Sequence, residues 1–511
     1  MIFNLIRKVL ALCVILLFIS TSILPGFCEE IKNTKSYSGE QSNISILDNG
    51  VLDVNYIYNI TNALSNIVFT EYDEEHGEIA KGREFGSKGE HKAAEILAEN
   101  MSALGLFTQK EKIENIPSLH MCSKLTYKTE ILDYKLIITN KTNGHSEIVD
   151  CSPMPSLNGP LTKPSELDYN FSYTGLKVRR NHPSLLEDKE DYILISGLDS
   201  PKFVDPNYVT CQGYKFYIKY LKTEIKSKID FFLHPHFKGY LYYDLGNDTH
   251  DQGGNKCAPQ FLINGSVGRR INNSIEDYTV DFYLNQQLNK SVISYNVIGQ
   301  LNGTDPSKTV LVDCLYDCLW DQGTADSAIG MGIVMGIAKY FTDNNIVPKY
   351  NMKFIGFCGE EYGMRGALYY EATHKNENII YVIDLNQLGF KQDYPRLKLE
   401  IVTNKIKFTD EIWNIVKRTD YVNRTGNVTD IKPFTQLMGH ISDDRVFAIK
   451  RPFSCKTVCF LKGGPWVLHH RDGLNHTEGD VLKYFDWNDV SVTGEMIWNV
   501  TKYLTVESIL Q

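Results

Sequence analysis

The feature that most constrains this chain is the alternation that begins at Asn296. Short apolar runs at 297–299, 310–312, 353–357, 379–383 and 397–402 are separated by stretches of helical spacing, including 326–341. Apolar runs without in–out alternation belong to strands covered on both faces. Strands that alternate with helices build a largely parallel sheet. The expected fold class is therefore α/β, with a mostly parallel mixed sheet covered by helices on both faces. In such sheets, chemistry gathers just beyond the C-terminal ends of the strands.

The same texture is present near the start of the chain. Residues 53–68 read as a short amphipathic helix. A turn-rich loop at 82–89, which contains Arg83, leads into 90–104, where Ala93, Ala94, Leu97, Met101 and Leu104 recur at helical spacing before Gly105. Between 121 and 295 short β-like runs (192–195, 239–243, 260–263, 278–283) alternate with Pro, Gly and Asn clusters. The expected organisation is one α/β domain built from 51–120 and 296–511, interrupted by a β-rich insertion at 121–295. A chain of 511 residues suits a large domain with an insertion.

The first 28 residues read as an export signal. Arg7 and Lys8 precede an apolar run at 9–18, and Gly26 and Cys28 are small enough to flank a cleavage site before Glu29. Residues 29–50 are polar and aperiodic, as a linker is. The protein is expected to be secreted, with membrane attachment only if the signal stays uncleaved. Acceptor triplets at Asn43, Asn59, Asn140, Asn247, Asn302, Asn423 and Asn427 are consistent with export and glycosylation. A net charge of -9 argues against a nucleic-acid partner. Among eleven cysteines, Cys211 with Cys257 and Cys455 with Cys459 are conceivable bridges; Cys314, Cys318 and Cys358 read equally well as buried thiols.

Acidic and imidazole residues stand where such a sheet would place its chemistry. Asp326 follows the run 310–314 and is expected to start a helix. Glu360 and Glu361 follow 354–357 directly, between Gly359 and Gly363. His476 lies in a loop, Asn475-His476-Thr477, before another expected helix. One imidazole and two carboxylates suffice for a three-ligand zinc site with an open fourth position. Of two adjacent glutamates, one can bind the metal and the other can take a proton from its water.

These motifs resemble the zinc aminopeptidases of metallopeptidase family 28, over roughly 55–115 and 295–505. Gly323-Thr324-Ala325-Asp326-Ser327 is similar to the family loop whose aspartate bridges two zinc ions. Gly359-Glu360-Glu361-Tyr362-Gly363 is similar to the motif whose first glutamate is the general base and whose second is a ligand. Ser442-Asp443 with Phe447, and His476-Thr477 with Asp480, resemble two further family stretches. The insertion loosely resembles a protease-associated domain. The resemblance implies Glu360 as catalytic base, Asp326, Glu361 and His476 as metal ligands, and peptide or protein N-termini as substrate.

Two positions depart from the family pattern. Leu315 stands where the resemblance implies a histidine, and Asn386 where it implies an aspartate. In the family those two residues serve one of the two ions. Their joint loss implies one Zn2+ per chain, with the second site degraded. Asp384, Cys314 and Cys318 are candidate substitutes near that position, the resemblance leaves Asp317 without the histidine it would support, and His469 and His470 read as loop residues. Two other readings remain open: a glutaminyl-cyclase-like acyltransferase, and a catalytically inactive ectodomain of the same fold.

Overall fold

The computed structural model describes residues 51–506 except 68–69, 74–76, 81, 120–121, 150, 155–168, 181–191, 199–213, 222–259, 264–266, 268–269, 272, 319–321, 390–398, 426–431, 438–441, 463–479 and 483–484. The expected signal segment and linker lie outside that set. So do the run at 239–243, Cys211, Cys257, His469, His470 and His476. No described helix is long and apolar enough to cross a membrane.

The central sheet has eight strands: β1 (Phe107–Lys112), β2 (Tyr295–Leu301), β3 (Asp305–Leu315), β4 (Tyr350–Phe357), β5 (Ile379–Leu385), β6 (Leu399–Thr403), β7 (Lys432–Thr435) and β8 (Lys456–Lys462). Their spatial order is β7-β6-β8-β5-β3-β4-β2-β1. The pairs β8–β5, β5–β3, β3–β4 and β6–β7 are parallel. The pairs β4–β2, β2–β1 and β6–β8 are antiparallel. The sheet is thus mixed, with a parallel centre where strand–helix–strand crossovers repeat.

Helices cover both faces, as the unbroken apolar runs require. The helices used below are α1 (Val54–Ser65), α2 (Lys88–Ala103), α3 (Ile329–Asp343), α4 (Arg365–Thr373), α5 (Ile406–Val416), α6 (Asp444–Lys450) and α7 (Trp487–Thr505). On one face, Val310, Val312, Phe354, Ile383 and Leu385 share a core with Ile329, Ile333 and Ile337 of α3. On the other, Leu311, Ile355, Phe357 and Val382 pack with Ala367 and Leu368 of α4 and Val446 and Phe447 of α6. Burying each such aliphatic side chain contributes about 1.5–3 kcal/mol. The period-two alternation decides which residue meets which helix.

A second eight-stranded sheet is built from strands between 128 and 289, the longest being Lys128–Asn140, Tyr169–Arg180 and Tyr278–Asn289. The chain leaves the central sheet after β1 and rejoins it at β2, which pairs directly with β1.

Two expectations need correction. The helix expected from Asp326 begins at Ile329, because Asp326 (φ -112°, ψ 71°) and Ser327 (φ -152°, ψ 39°) are not helical. The conceivable Cys455–Cys459 bridge does not exist, and both thiols are free and buried. Cys459 lies within β8 and Cys455 immediately precedes it. Four residues of extended chain separate Cα atoms by about 13 Å, beyond the roughly 7 Å limit of a disulfide.

Candidate active site

The C-terminal ends of β3, β4 and β5 converge on one edge of the sheet, and the loops leaving them carry the predicted residues. β3 ends at Leu315, whose side chain is fully buried in the core. The next residue, Tyr316, donates its N–H to Phe357 O at 3.1 Å and its hydroxyl to Tyr295 O at 2.6 Å. The β3 exit is thereby fastened to β4 and β2. Asp317 follows, fully buried, and its Oδ1 accepts the N–H of Glu360 at 3.1 Å. One carboxylate thus sets the start of the turn that carries Glu360 and Glu361. Burial, then the charge of Glu361, pushes the Asp317 carboxyl up to about 8, and the N–H groups of Glu360 and Glu361 partly offset the shift.

The turn after β4 needs Gly359. Its φ is +63°, and a Cβ there would lie 2.7 Å from the Phe85 ring. Its far side is tied down by Tyr362, whose hydroxyl donates to Glu84 Oε1 at 2.5 Å, and by Arg365, whose Nε donates to Tyr362 O at 2.9 Å. Burial raises the Glu360 carboxyl well above its usual range; the charges of Glu361, Asp443, Asp326 and Asp317 add to the shift. Asp326 and Glu361, on different loops, therefore both lie within electrostatic reach of Glu360.

The loop before α3 is held from two sides. Arg83 is fully buried. Its Nε donates to Tyr316 O at 2.7 Å, and its terminal nitrogens donate to Leu64 O, Gln322 O and Gly323 O at 2.9, 2.6 and 2.9 Å. From the other side, Asp480 accepts the N–H groups of Ala325 (2.5 Å) and Asp326 (3.1 Å). Turning these amides toward Asp480 is what delays the helix to Ile329. Burial raises the Asp480 carboxyl to about 7, partly offset by the Ala325 N–H. Asp326 itself is 3% exposed, and its Oδ2 accepts from Gln387 Nε2 at 3.2 Å.

After β5, Asn386 is buried; its Nδ2 donates to Ser442 Oγ at 3.0 Å and its Oδ1 accepts the Gln387 N–H at 2.7 Å. Cys314 donates weakly to Ser327 O at 3.6 Å, and burial holds it as a thiol. Cys318 Sγ accepts the Arg83 N–H at 3.4 Å. Asp326, Glu360 and Glu361 are thus gathered at one edge of the sheet, together with Asp317; His476 lies outside the described residues. The sequence motifs did not single out Gln387 as a partner of Asp326, nor Arg83 as the brace of its loop. Neither has a local signature, since each acts across the fold.

Among the described residues these acids form no group of three donors within 4.8 Å of one another; His476, the imidazole the motifs imply, lies outside the described residues. Carboxylates from separate loops crowd together, and Asp317 Oδ2 is buried with no hydrogen-bond partner. A mixed sheet with acidic loops at the C-terminal edge of its parallel strands has the architecture of the zinc-aminopeptidase fold. Residues 296–501 match the model of Peptidase family M28. Three solved structures are similar over nearly the whole chain. A zinc aminopeptidase from Bacillus subtilis has a TM-score of 0.60 at 15% identity, covering 90% of this chain and 97% of its own. A Peptidase M28 precursor from Shewanella amazonensis has a TM-score of 0.58 at 14% identity, covering 88% and 93%. An aminopeptidase from Aneurinibacillus sp. strain AM-1 has a TM-score of 0.55 at 14% identity, covering 89% and 94%. At these identities the likeness is one of fold. No curated protein matches the sequence at a significant level.

Proposed function

We propose that the chain is a secreted aminopeptidase that works with one zinc ion held by Asp326, Glu361 and His476, its second metal position lost at Leu315 and Asn386. The observation that carries this reading is the anchoring of the Glu360 N–H by Asp317 within electrostatic reach of Asp326 and Glu361. Zinc, when bound there, supplies Lewis-acid polarisation of a water and of the scissile carbonyl. Glu360 accepts the proton of that water and passes it to the leaving amine. Gln387 orients Asp326 by donating to its Oδ2. Arg83 and Asp480 hold the loop that presents Asp326.

At the other position Leu315 offers no donor atom. Asn386 directs its amide into Ser442 and its own chain, and is a poor substitute for a carboxylate. Export is supported by the charged and apolar segments at the N-terminus and by exposed sequon residues at Asn59 and Asn302.

The test is metal analysis and peptide turnover on the purified protein. His476→Ala lowers bound zinc by one equivalent and abolishes hydrolysis of aminoacyl peptides. Glu360→Gln keeps the metal but lowers kcat about 10²-fold or more. The Leu315→His, Asn386→Asp double change adds one equivalent. Zinc content unaffected by His476→Ala would overturn the ligand assignment. Cyclisation of N-terminal glutamine peptides in place of hydrolysis would favour the acyltransferase, and a folded protein without His476-dependent zinc would favour an inactive ectodomain.

A further inference from the structure

Asp313, Asp384 and Cys459 form one row across three adjacent parallel strands. Asp313 of β3 is in register with Asp384 of β5, and Asp384 with Cys459 of β8. In-register residues project from the same face of a sheet. Asp313 and Asp384 follow Leu311 and Val382 by two residues, so this is the face on which α6 packs. The first residue of α6, Asp444, meets the row. One donor atom each from Asp384, Asp444 and Cys459 lie within 4.8 Å of one another, and all three residues are buried.

A second observation points to a ligand. Asp313 is 0% exposed and stands beside Asp384 in the row, close enough for the two carboxyls to share a proton, and neither of its oxygens meets any other donor. Both oxygens of Asp384 are also without a well-aligned partner, although Ser442, Cys459 and the Asp444 N–H lie nearby. Asp444 is oriented by Thr457 Oγ1, which donates to its Oδ2 at 3.1 Å. No described lysine or arginine pairs with Asp313 or Asp384. Buried charge of one sign requires a counter-charge or a proton.

We propose that this row is a second metal site, holding one zinc-class divalent ion through Asp384, Asp444 and Cys459, with the buried Asp313 carboxyl beside them. The sulfur decides the class. Magnesium and calcium take oxygen donors, whereas zinc accepts thiolate together with carboxylate in a four-coordinate shell. Ligand bonds of about 2.0–2.3 Å place tetrahedral donors about 3.5 Å apart, so the trio needs only a small contraction.

Asp313 and Asp384 each lie two residues, about 7 Å of extended chain, before Leu315 and Asn386. The two strands whose ends lack metal-binding side chains at those positions thus carry buried carboxylates one pleat deeper. The site is independent of the His476 reading and raises the expected total to two ions per chain.

The full chain loaded with cobalt tests this. No sulfur is assigned to the catalytic metal, so a near-ultraviolet thiolate-to-cobalt absorption reports only the buried site. Expected results are two equivalents per chain and this absorption in the wild type. His476→Ala should remove one equivalent and leave the absorption; Cys459→Ser should remove the other equivalent together with the absorption, while Cys455→Ser changes neither. If Cys459→Ser does not fold, the isosteric Asp384→Asn carries the test, with the same equivalent lost. A folded wild type without thiolate–cobalt absorption would overturn the proposal and leave the row neutralised by protons. So would absorption that survives both Cys459→Ser and Asp384→Asn. Loss of the His476-dependent equivalent alone bears only on the catalytic reading.

Discussion

Glu90 illustrates how one side chain can serve a helix end and a loop together. Ser87 caps α2 by accepting the Glu90 N–H at 3.1 Å. Glu90 reaches back to the Gly86 N–H at 2.7 Å, a capping box displaced by one residue, and accepts Ser294 Oγ at 2.7 Å. It is fully buried, and that burial, followed by the charge of Asp317, holds its carboxyl well above the usual range. An acid with a raised folded-state pKa keeps a proton that the unfolded chain has released. Its contribution is therefore complete below the unfolded pKa and falls as pH rises through the window, by about 1.4 kcal/mol per unit. Glu90→Gln, which can donate to Ser294 and accept from Gly86, removes that slope. Urea unfolding between pH 5 and 8 (chosen as roughly the window above a free glutamate) should show a flatter stability profile than wild type. An unchanged slope would mean that another group sets it. At this scale the Glu360-Glu361 pair was legible because strand, glycine and acids are contiguous. Gln387 was not, since its partner Asp326 is on another loop.

Among the elements, α3 shows how sequence composition encodes close approach. Gly330, Gly332 and Gly336 face its neighbours: a Cβ at Gly330 would lie 2.5 Å from Cys314 Sγ, and one at Gly332 would lie 2.5 Å from Thr61 Oγ1 and 2.9 Å from Ile57 O. At Gly336 the obstacle is only the Ile57 side chain, at 2.7 Å. Alanine gains about 1 kcal/mol of helix propensity over glycine, but overpacking costs about 1–3 kcal/mol. Gly332→Ala should be destabilising by about 1–2 kcal/mol in chemical denaturation, since the Ile57 backbone cannot yield. Gly336→Ala should cost less, because a side chain can rotate away; the opposite order would refute the packing argument. The strand runs were legible to within a few residues, since burial on both faces leaves an apolar signature. The start of α3 was not, because its first turn is displaced by the distant Asp480.

For the whole molecule, the decisive contacts join the two sheets to the Glu360 turn. Lys128, first residue of the long strand Lys128–Asn140, is buried, pairs with Glu84 Oε1 at 2.8 Å and donates to Phe85 O at 2.8 Å. Glu84 in turn accepts from Tyr362, next to Glu361. Arg365, also buried, donates to Leu125 O at 2.9 Å and to Tyr127 O. Lys128→Met removes the buried counter-charge of Glu84 and should cost about 3–5 kcal/mol, read by urea unfolding, with kcat falling as the Tyr362 turn loosens. Adding Glu84→Gln should restore most of the stability; no rescue would mean that Lys128 acts through packing alone. The sequence by itself determined the α/β class, the apolar strand runs of the central sheet and the position of Glu360-Glu361 directly after one of them. Each follows from periodicity or from adjacent residues. The tertiary structure alone decided that Arg83 braces the Asp326 loop, that Lys128 ties the second sheet to the active-site turn, and that Asp313, Asp384 and Cys459 share one row. Strand register and loop closure join residues tens to hundreds of positions apart, and no local pattern carries that information.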